Sequence, residues 1–265
     1  MTSDQAALSE SLGSVIIAES KLAGGDISGA TRLTFADGRE VVVKSGPMVD
    51  REARMLRAIA PSGAPCPAVL AVGDGWLAME YVAPSSPHDR WSLLAETLTA
   101  LHGSHGERYG WEEDYAFSHV RMRNDPADDW PQFWAEHRVL CHVPHISAAL
   151  GSRLEQLAHR LHDLLPASPS ASLLHGDLWG GNIVWTREAA VLIDPACFYG
   201  HREVDWAMLT VFDGAPDALF ESLDPEPGWR ERFPIYRLWP WLLHLRLFGD
   251  SYRPAVEREL QTLGF

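Results

Sequence analysis

The stretch Leu173–Trp185 reads L-L-H-G-D-L-W-G-G-N-I-V-W. Asp177 sits in a glycine-flanked loop, and Asn182 follows five residues later at the start of a short apolar strand. Ala190–Ile193 reads as a second strand that ends at Asp194-Pro195-Ala196. Two strands joined by a turn put Asn182 at the start of one and Asp194 at the end of the other, side by side. Hard oxygen donors of this kind suit magnesium, and a carboxylate beside them can take a proton. These are the groups that phosphoryl transfer requires: Asp177 to accept or orient the proton of an attacking hydroxyl, Asn182 and Asp194 to hold metal against phosphates. The Asp177-to-Asn182 spacing equals that of the kinase catalytic loop, H-R-D-x-x-x-x-N. Taken singly, Asp177 would only cap a turn and Asn182 only start a strand. All three at these spacings exceed that ordinary reading.

Lys44 points the same way from another part of the chain. Of 22 basic residues only Lys21 and Lys44 are lysine, so a lysine ending the apolar run V-V-V-K needs a reason that arginine could not supply. Glu52 lies eight residues on, in the first half of a helical pattern. A lysine so placed can reach nucleotide phosphates and be held by the glutamate. Gly24 and Gly25, with Gly29, would form a loop over the phosphates, although glycines at such positions commonly just turn a hairpin. No G-x-x-x-x-G-K-[ST] occurs, which excludes a Walker-type pocket. Trp76–Val82 runs from strand to connector, where the backbone of Glu80, Tyr81 and Val82 can meet an adenine ring. An ordinary strand end fits that segment equally well.

The elements that must position these groups divide the chain. Val15–Ser20, Ala30–Ala36, Arg39–Lys44, Val69–Val72 and Trp76–Val82 read as strands, with a hairpin turn at Asp37-Gly38 and one helix opened by Pro47. After Pro84-Ser85-Ser86-Pro87 helical periodicity dominates: Trp91–His102, Trp130–Cys141, Ile146–Leu165, Val204–Phe212, Phe233–Leu247 and Ala255–Leu263. One β-rich island, Leu173–Asp194, interrupts them. The expectation is an α+β fold of two lobes with a cleft between them. Residues 1–82 form the nucleotide-binding lobe, an antiparallel sheet plus one helix; residues 83–265 form the helical lobe with the catalytic loop and substrate site.

Composition narrows the function. The 265 residues carry a net charge of −14, which excludes an extended phosphate-backbone binder; no nucleic-acid partner is expected. Cys66, Cys141 and Cys197 are an odd number without a C-x-x-C pair, which points to a reducing, cytoplasmic location. The stretch Leu238–Phe248 contains His244 and Arg246 and is too short to span a bilayer, and Met1–Leu12 has no signal-peptide pattern. Cys141-His142 with His137 and His145 matches no standard zinc spacing. His102 and His105 read as surface or loop residues.

L-L-H-G-D-L-W-G-G-N followed by L-I-D-P-A-C-F-Y-G-H-R-E-V-D resembles the fructosamine kinase (ketosamine 3-kinase) family, which belongs with the aminoglycoside phosphotransferases in the protein-kinase-like superfamily. The resemblance extends over nearly the whole chain, through Gly24-Gly25-Asp26-Ile27, Lys44, Asp128–Trp130 and His244–Tyr252. It implies ATP and magnesium as cofactors and a ketosamine or related amine as small-molecule substrate. It further implies Asp177 as proton acceptor, Asn182 and Asp194 as metal ligands, and Lys44 with Glu52 as the phosphate-side ion pair. By the same resemblance Glu80 to Val82 is the ATP hinge, Trp179 lies beside the sugar, and His175 and Asp205 brace the catalytic loop. The chain departs from the family in carrying Asp26 where many members have cysteine, in a short Lys44–Glu52 segment, and in a loose match over Gly103–Ile146. A kinase for another hydroxylated amine, such as an aminoglycoside or amino alcohol, is the competing enzyme reading, and a nucleotide-binding pseudokinase the non-enzymatic one. The complete set of Lys44, Asp177, Asn182 and Asp194 speaks against the pseudokinase.

Overall fold

A computed structural model describes residues 3–22 and 29–265. The chain runs α1 (Ser3–Leu12), β1 (Ile16–Lys21), β2 (Ala30–Phe35), β3 (Glu40–Ser45), α2 (Val49–Ile59), β4 (Val69–Gly73), β5 (Trp76–Glu80) and α3 (Arg90–His102). Next come β6 (Tyr115–Phe117), β7 (Val120–Met122), α4 (Trp130–Trp134), α5 (Ala148–Leu164), β8 (Ser172–Leu174), β9 (Ile183–Trp185) and β10 (Ala190–Leu192). It closes with β11 (Phe198–Gly200), α6 (Glu203–Phe212), α7 (Asp217–Ser222), α8 (Trp229–Phe248) and α9 (Arg253–Thr262). Two compact units result: Met1–Leu101 with Gly181–Ala196, and His102–Gly180 with Cys197–Phe265.

The first unit is built on an antiparallel sheet of order β1-β2-β3-β5-β4. β3 is central, and its V-V-V run is apolar on successive residues because both faces are covered. Val41 packs with Leu8 of α1, Leu33, Phe35, Trp76 and Ala78. Val42 packs on the other face with Val49, Ala53 and Leu56 of α2 and with Leu77 and Met79. Residues two apart share a face of a strand, so Lys44 lies on the α2 side with Val42. The helix α1 was not expected, since its sequence offers little beyond Leu8 and Leu12 to bury; the sheet face supplies the rest of that contact. Nor does the first unit end at residue 82. The β9–β10 hairpin and α3 join it through hydrogen bonds from Leu192 N–H to Pro65 O (2.8 Å), Ser85 N–H to Trp185 O (2.8 Å) and Thr97 Oγ1 to Ala190 O (3.0 Å).

The second unit is mainly helical, with Trp130, Phe133, Trp134, Phe198, Trp206, Phe220, Tyr236 and Trp239 wholly buried. The single helix expected over Trp130–Cys141 breaks into α4, a π turn at Ala135–Val139 and a 3-10 stretch at Leu140–His145 that contains Pro144. The wide turn delivers Arg138 to the interior, where it stacks on the Phe198 ring at 4.3 Å and donates to Arg123 O (2.6 Å) and Asn124 Oδ1 (2.7 Å). Three-residue strands such as β6, β7 and β11 are too short to leave a periodic signal in the sequence. Among the described residues no helix is long and apolar enough to cross a membrane.

Candidate active site

The first unit assembles a charged corner. Lys44 is 5% exposed, and its Nζ donates to Glu52 Oε1 at 2.7 Å and also to Asp194 Oδ1. Glu52 reaches it because the buried stripe of α2 runs Val49, Glu52, Ala53, Met55, Leu56, Ile59, which turns the carboxylate inward with the apolar residues. Taking these charges out of water costs several kcal/mol each, which only good pairing geometry offsets. Burial pushes the Lys44 ammonium down, but Glu52 and Asp194 outweigh it and hold the group above its ordinary value, so it stays charged.

Asp194 arrives from the hairpin. β9 and β10 pair antiparallel with Ile183 opposite Leu192, and the Ile193 N–H donates to Asn182 O at 3.0 Å. Asn182 and Asp194 are therefore neighbours across the open end of the hairpin, as their spacing implies. Asn182 is buried, whereas the Asp194 side chain is 29% exposed. The Asp194 backbone has φ +55°, a left-handed conformation that costs a non-glycine residue roughly 1–2 kcal/mol. An amide oxygen and a carboxylate are a hard donor pair that fits magnesium. Among the described residues no group of three or more His, Cys, Asp or Glu could hold a metal. A divalent cation at this pair needs phosphate oxygens and water to complete its shell.

The expected hinge residues begin at the last residue of β5. The Glu80 N–H donates to Ala68 O at 2.9 Å and the Tyr81 N–H to Glu40 O at 3.3 Å, so those two donors are committed. Tyr81 is pinned by Arg32, which lies over its ring at 4.1 Å and donates to its hydroxyl at 3.3 Å. Gly24, Gly25 and Asp26 lie outside the described residues.

The second unit holds the catalytic loop by different means. Asp205, fully buried in the first turn of α6, accepts from the His175 N–H (2.8 Å), the Gly176 N–H (2.9 Å) and His102 Nε2 (3.0 Å). The Asp177 N–H donates to His175 Nδ1 at 3.3 Å. Gly176 has φ +80°, which lets the chain turn so that two successive N–H groups meet one carboxylate. Asp177 itself is half-buried at the head of this bracket. Trp179 is 38% exposed, and its ring meets that of Phe212 edge-on at 6.1 Å.

His102 departs from the expectation of a surface or loop residue: it is 5% exposed and bonded to Asp205. Its position at the last turn of an apolar helix carried the missing signal, since a histidine on a buried stripe needs a polar partner. His105 is exposed, as expected.

A buried lysine–glutamate pair, a hairpin that sets an amide beside a carboxylate, and a braced loop, on a kinase-like fold, are what a small-molecule phosphotransferase needs. The chain belongs to the fructosamine kinase family, whose profile matches residues 1–264. It is 36% identical over 255 residues to a ketoamine kinase of Thermus thermophilus, covering 91% of this chain and 92% of that one. A fructosamine-3-kinase structure from Thermobifida fusca superposes with a TM-score of 0.90 at 31% identity, covering 98% of each chain. An ADP-bound aminoglycoside phosphotransferase shares the fold at a TM-score of 0.63 and 13% identity, covering 99% of this chain and 98% of the other.

Proposed function

We propose that the chain transfers the γ-phosphoryl group of ATP to a sugar hydroxyl of a ketosamine. The observation that carries this reading is the Lys44–Glu52–Asp194 corner, a buried lysine with two carboxylate partners, in a family of fructosamine kinases. Lys44 presents a fixed positive charge to the phosphates. Glu80 to Val82 take the adenine. A magnesium ion held by Asn182 and Asp194 would neutralise phosphate charge as it develops. Asp177 takes the proton of the acceptor hydroxyl as the new O–P bond forms and the bond to the β-phosphate oxygen breaks, releasing ADP. His175, Asp205 and His102 keep Asp177 in place, and Trp179 packs against the sugar. The ADP-bound relative of the same fold and the hard donor pair both support nucleotide and magnesium. Three free cysteines support a reducing, cytoplasmic location.

The test is magnesium-dependent ATP consumption across fructosamines, ribulosamines, aminoglycosides and amino alcohols, with the product identified by mass. Turnover of a ketosamine, abolished by removing magnesium, is the expected result. Turnover confined to aminoglycosides or amino alcohols would overturn the substrate class and leave the phosphotransferase.

A further inference from the structure

Gly180 is not a glycine for conformational reasons, because its φ is not among the positive ones. It is a glycine for space. A Cβ there would collide with Oδ1 of Asp213, whose Oδ2 accepts from the Gly180 N–H at 2.8 Å. Asp213 caps the C-terminal end of α6, next to Phe212. The carboxylate therefore ties the chain just after Trp179 to the chain just after Phe212, whose rings are in contact and 38% and 46% exposed.

The charge of Asp213 stands out against its surroundings. Asp217, four residues on, is taken by Arg230 at 2.7 Å. Among the described residues no lysine, arginine or histidine pairs with Asp213. The rings extend the patch, since Phe212 also meets His244 at 5.3 Å and His244 meets Phe248, itself 52% exposed. Burial holds the His244 imidazole below its ordinary range, so it adds no competing positive charge at neutral pH. A half-buried carboxylate without a cationic partner, bonded to the residue after one exposed aromatic ring and next in the chain to another, is the chemistry that receives an organic ammonium. The carboxylate supplies the charge, and the ring faces supply the cation–π contact.

We infer that Asp213 is a specificity-determining residue that, with Trp179 and Phe212, selects acceptors carrying a protonated amine next to the sugar. The inference rests on the ketosamine reading above and adds to it the group that recognises the amine. A neutral N-acyl analogue offers the same hydroxyls but no cation, and the patch has nothing to hold it by. The bond to Gly180 gives Asp213 a second task, fixing the corner that presents Trp179, and the two tasks separate by substitution. Asp213→Asn keeps an oxygen for the Gly180 N–H and removes the charge; Asp213→Ala removes both.

The experiment compares a 1-alkylamino-1-deoxyketose with its N-acetyl derivative as acceptors for wild type, Asp213→Asn and Asp213→Ala. It reads kcat and KM separately and, without ATP, binding of both compounds by tryptophan fluorescence. Wild type should prefer the amine at least about 10-fold in kcat/KM and in binding. Asp213→Asn should lose most of that preference, chiefly through KM. If Asp213→Asn keeps the preference and only Asp213→Ala impairs turnover, the residue merely positions the loop and the inference falls. If wild type phosphorylates or binds both compounds equally, it falls as well, with the kinase reading intact. Selective binding of the amine without any phosphorylation would instead sustain the inference and sink the kinase reading.

Discussion

The two corners proposed to carry the chemistry are stabilised in opposite ways. On the first unit the functional side chains are one another's support: Lys44 is held by Glu52 and Asp194, and each carboxylate is held by Lys44. On the second unit the bracing carboxylate is a different residue from the proposed proton acceptor: Asp205 grips the backbone of His175 and Gly176, just before Asp177. The difference teaches where function and stability are separable. A buried ion pair cannot lose a partner without leaving an uncompensated charge in the interior. A loop braced through its backbone can change its working side chain and keep its shape.

The largest effect should come from the brace. Asp205→Asn replaces one acceptor oxygen by an amide donor opposite groups that are themselves donors. Equilibrium urea denaturation should show a loss of about 3–5 kcal/mol, the scale of breaking a buried hydrogen-bonded charge. A loss under about 1 kcal/mol would mean that the three contacts to Asp205 are dispensable.

Asp177→Asn sharpens the contrast from the other side. Size and polarity persist while the capacity to accept a proton is lost, so turnover should fall by at least about 10² with an unchanged denaturation midpoint. Near-wild-type turnover would remove Asp177 from the chemistry.

Lys44→Arg tests the ion-pair corner while keeping its charge. A planar guanidinium is too wide for the place of a compact ammonium between Glu52 and Asp194, so kcat/KM for ATP should drop at least about 10-fold together with some stability. Normal kinetics in this variant would show that the corner needs only a positive charge.

The last effect belongs to neither corner and is read against pH. His142 is buried against Trp239 at 5.2 Å, and burial, aided by Arg246 and Arg138, holds its imidazole at about 3. Below about pH 6.5 the unfolded chain binds a proton that the folded His142 refuses, so stability is retained above that pH and declines as pH falls toward 3. Over that window the slope is about 1.4 kcal/mol per pH unit for this one group. His142→Leu should flatten the acid limb by about that slope, read from urea midpoints at pH 7 and pH 5. An unaltered acid limb would place the pH sensitivity elsewhere.

Much of the site was legible because it is local. Asp177, Asn182 and Asp194 lie within 18 positions, and the two short strands between them are continuous apolar runs joined by a turn. The sheet was legible for the same reason, from V-V-V-K and from the Asp37-Gly38 turn. The broken helix after Trp130 was not, because nothing in P-Q-F-W-A-E-H-R-V-L marks a π turn. That turn exists to bring Arg138 among aromatic faces contributed by distant elements.

By itself, the order of residues determined the family and the chemistry and nominated the candidate working groups, since each rests on residue type at short spacing. Only the tertiary structure decided what holds them. Glu52 became a partner of Lys44 because α2 turns its buried face to the sheet, and Asp205 became a brace because α6 starts beneath the loop. His102 was recruited from a helix 103 positions earlier. Asp213 acquired its bond to Gly180 across 33 positions. Such pairings depend on how elements pack, and a buried polar group shows its purpose only when the donor or acceptor opposite it is in view.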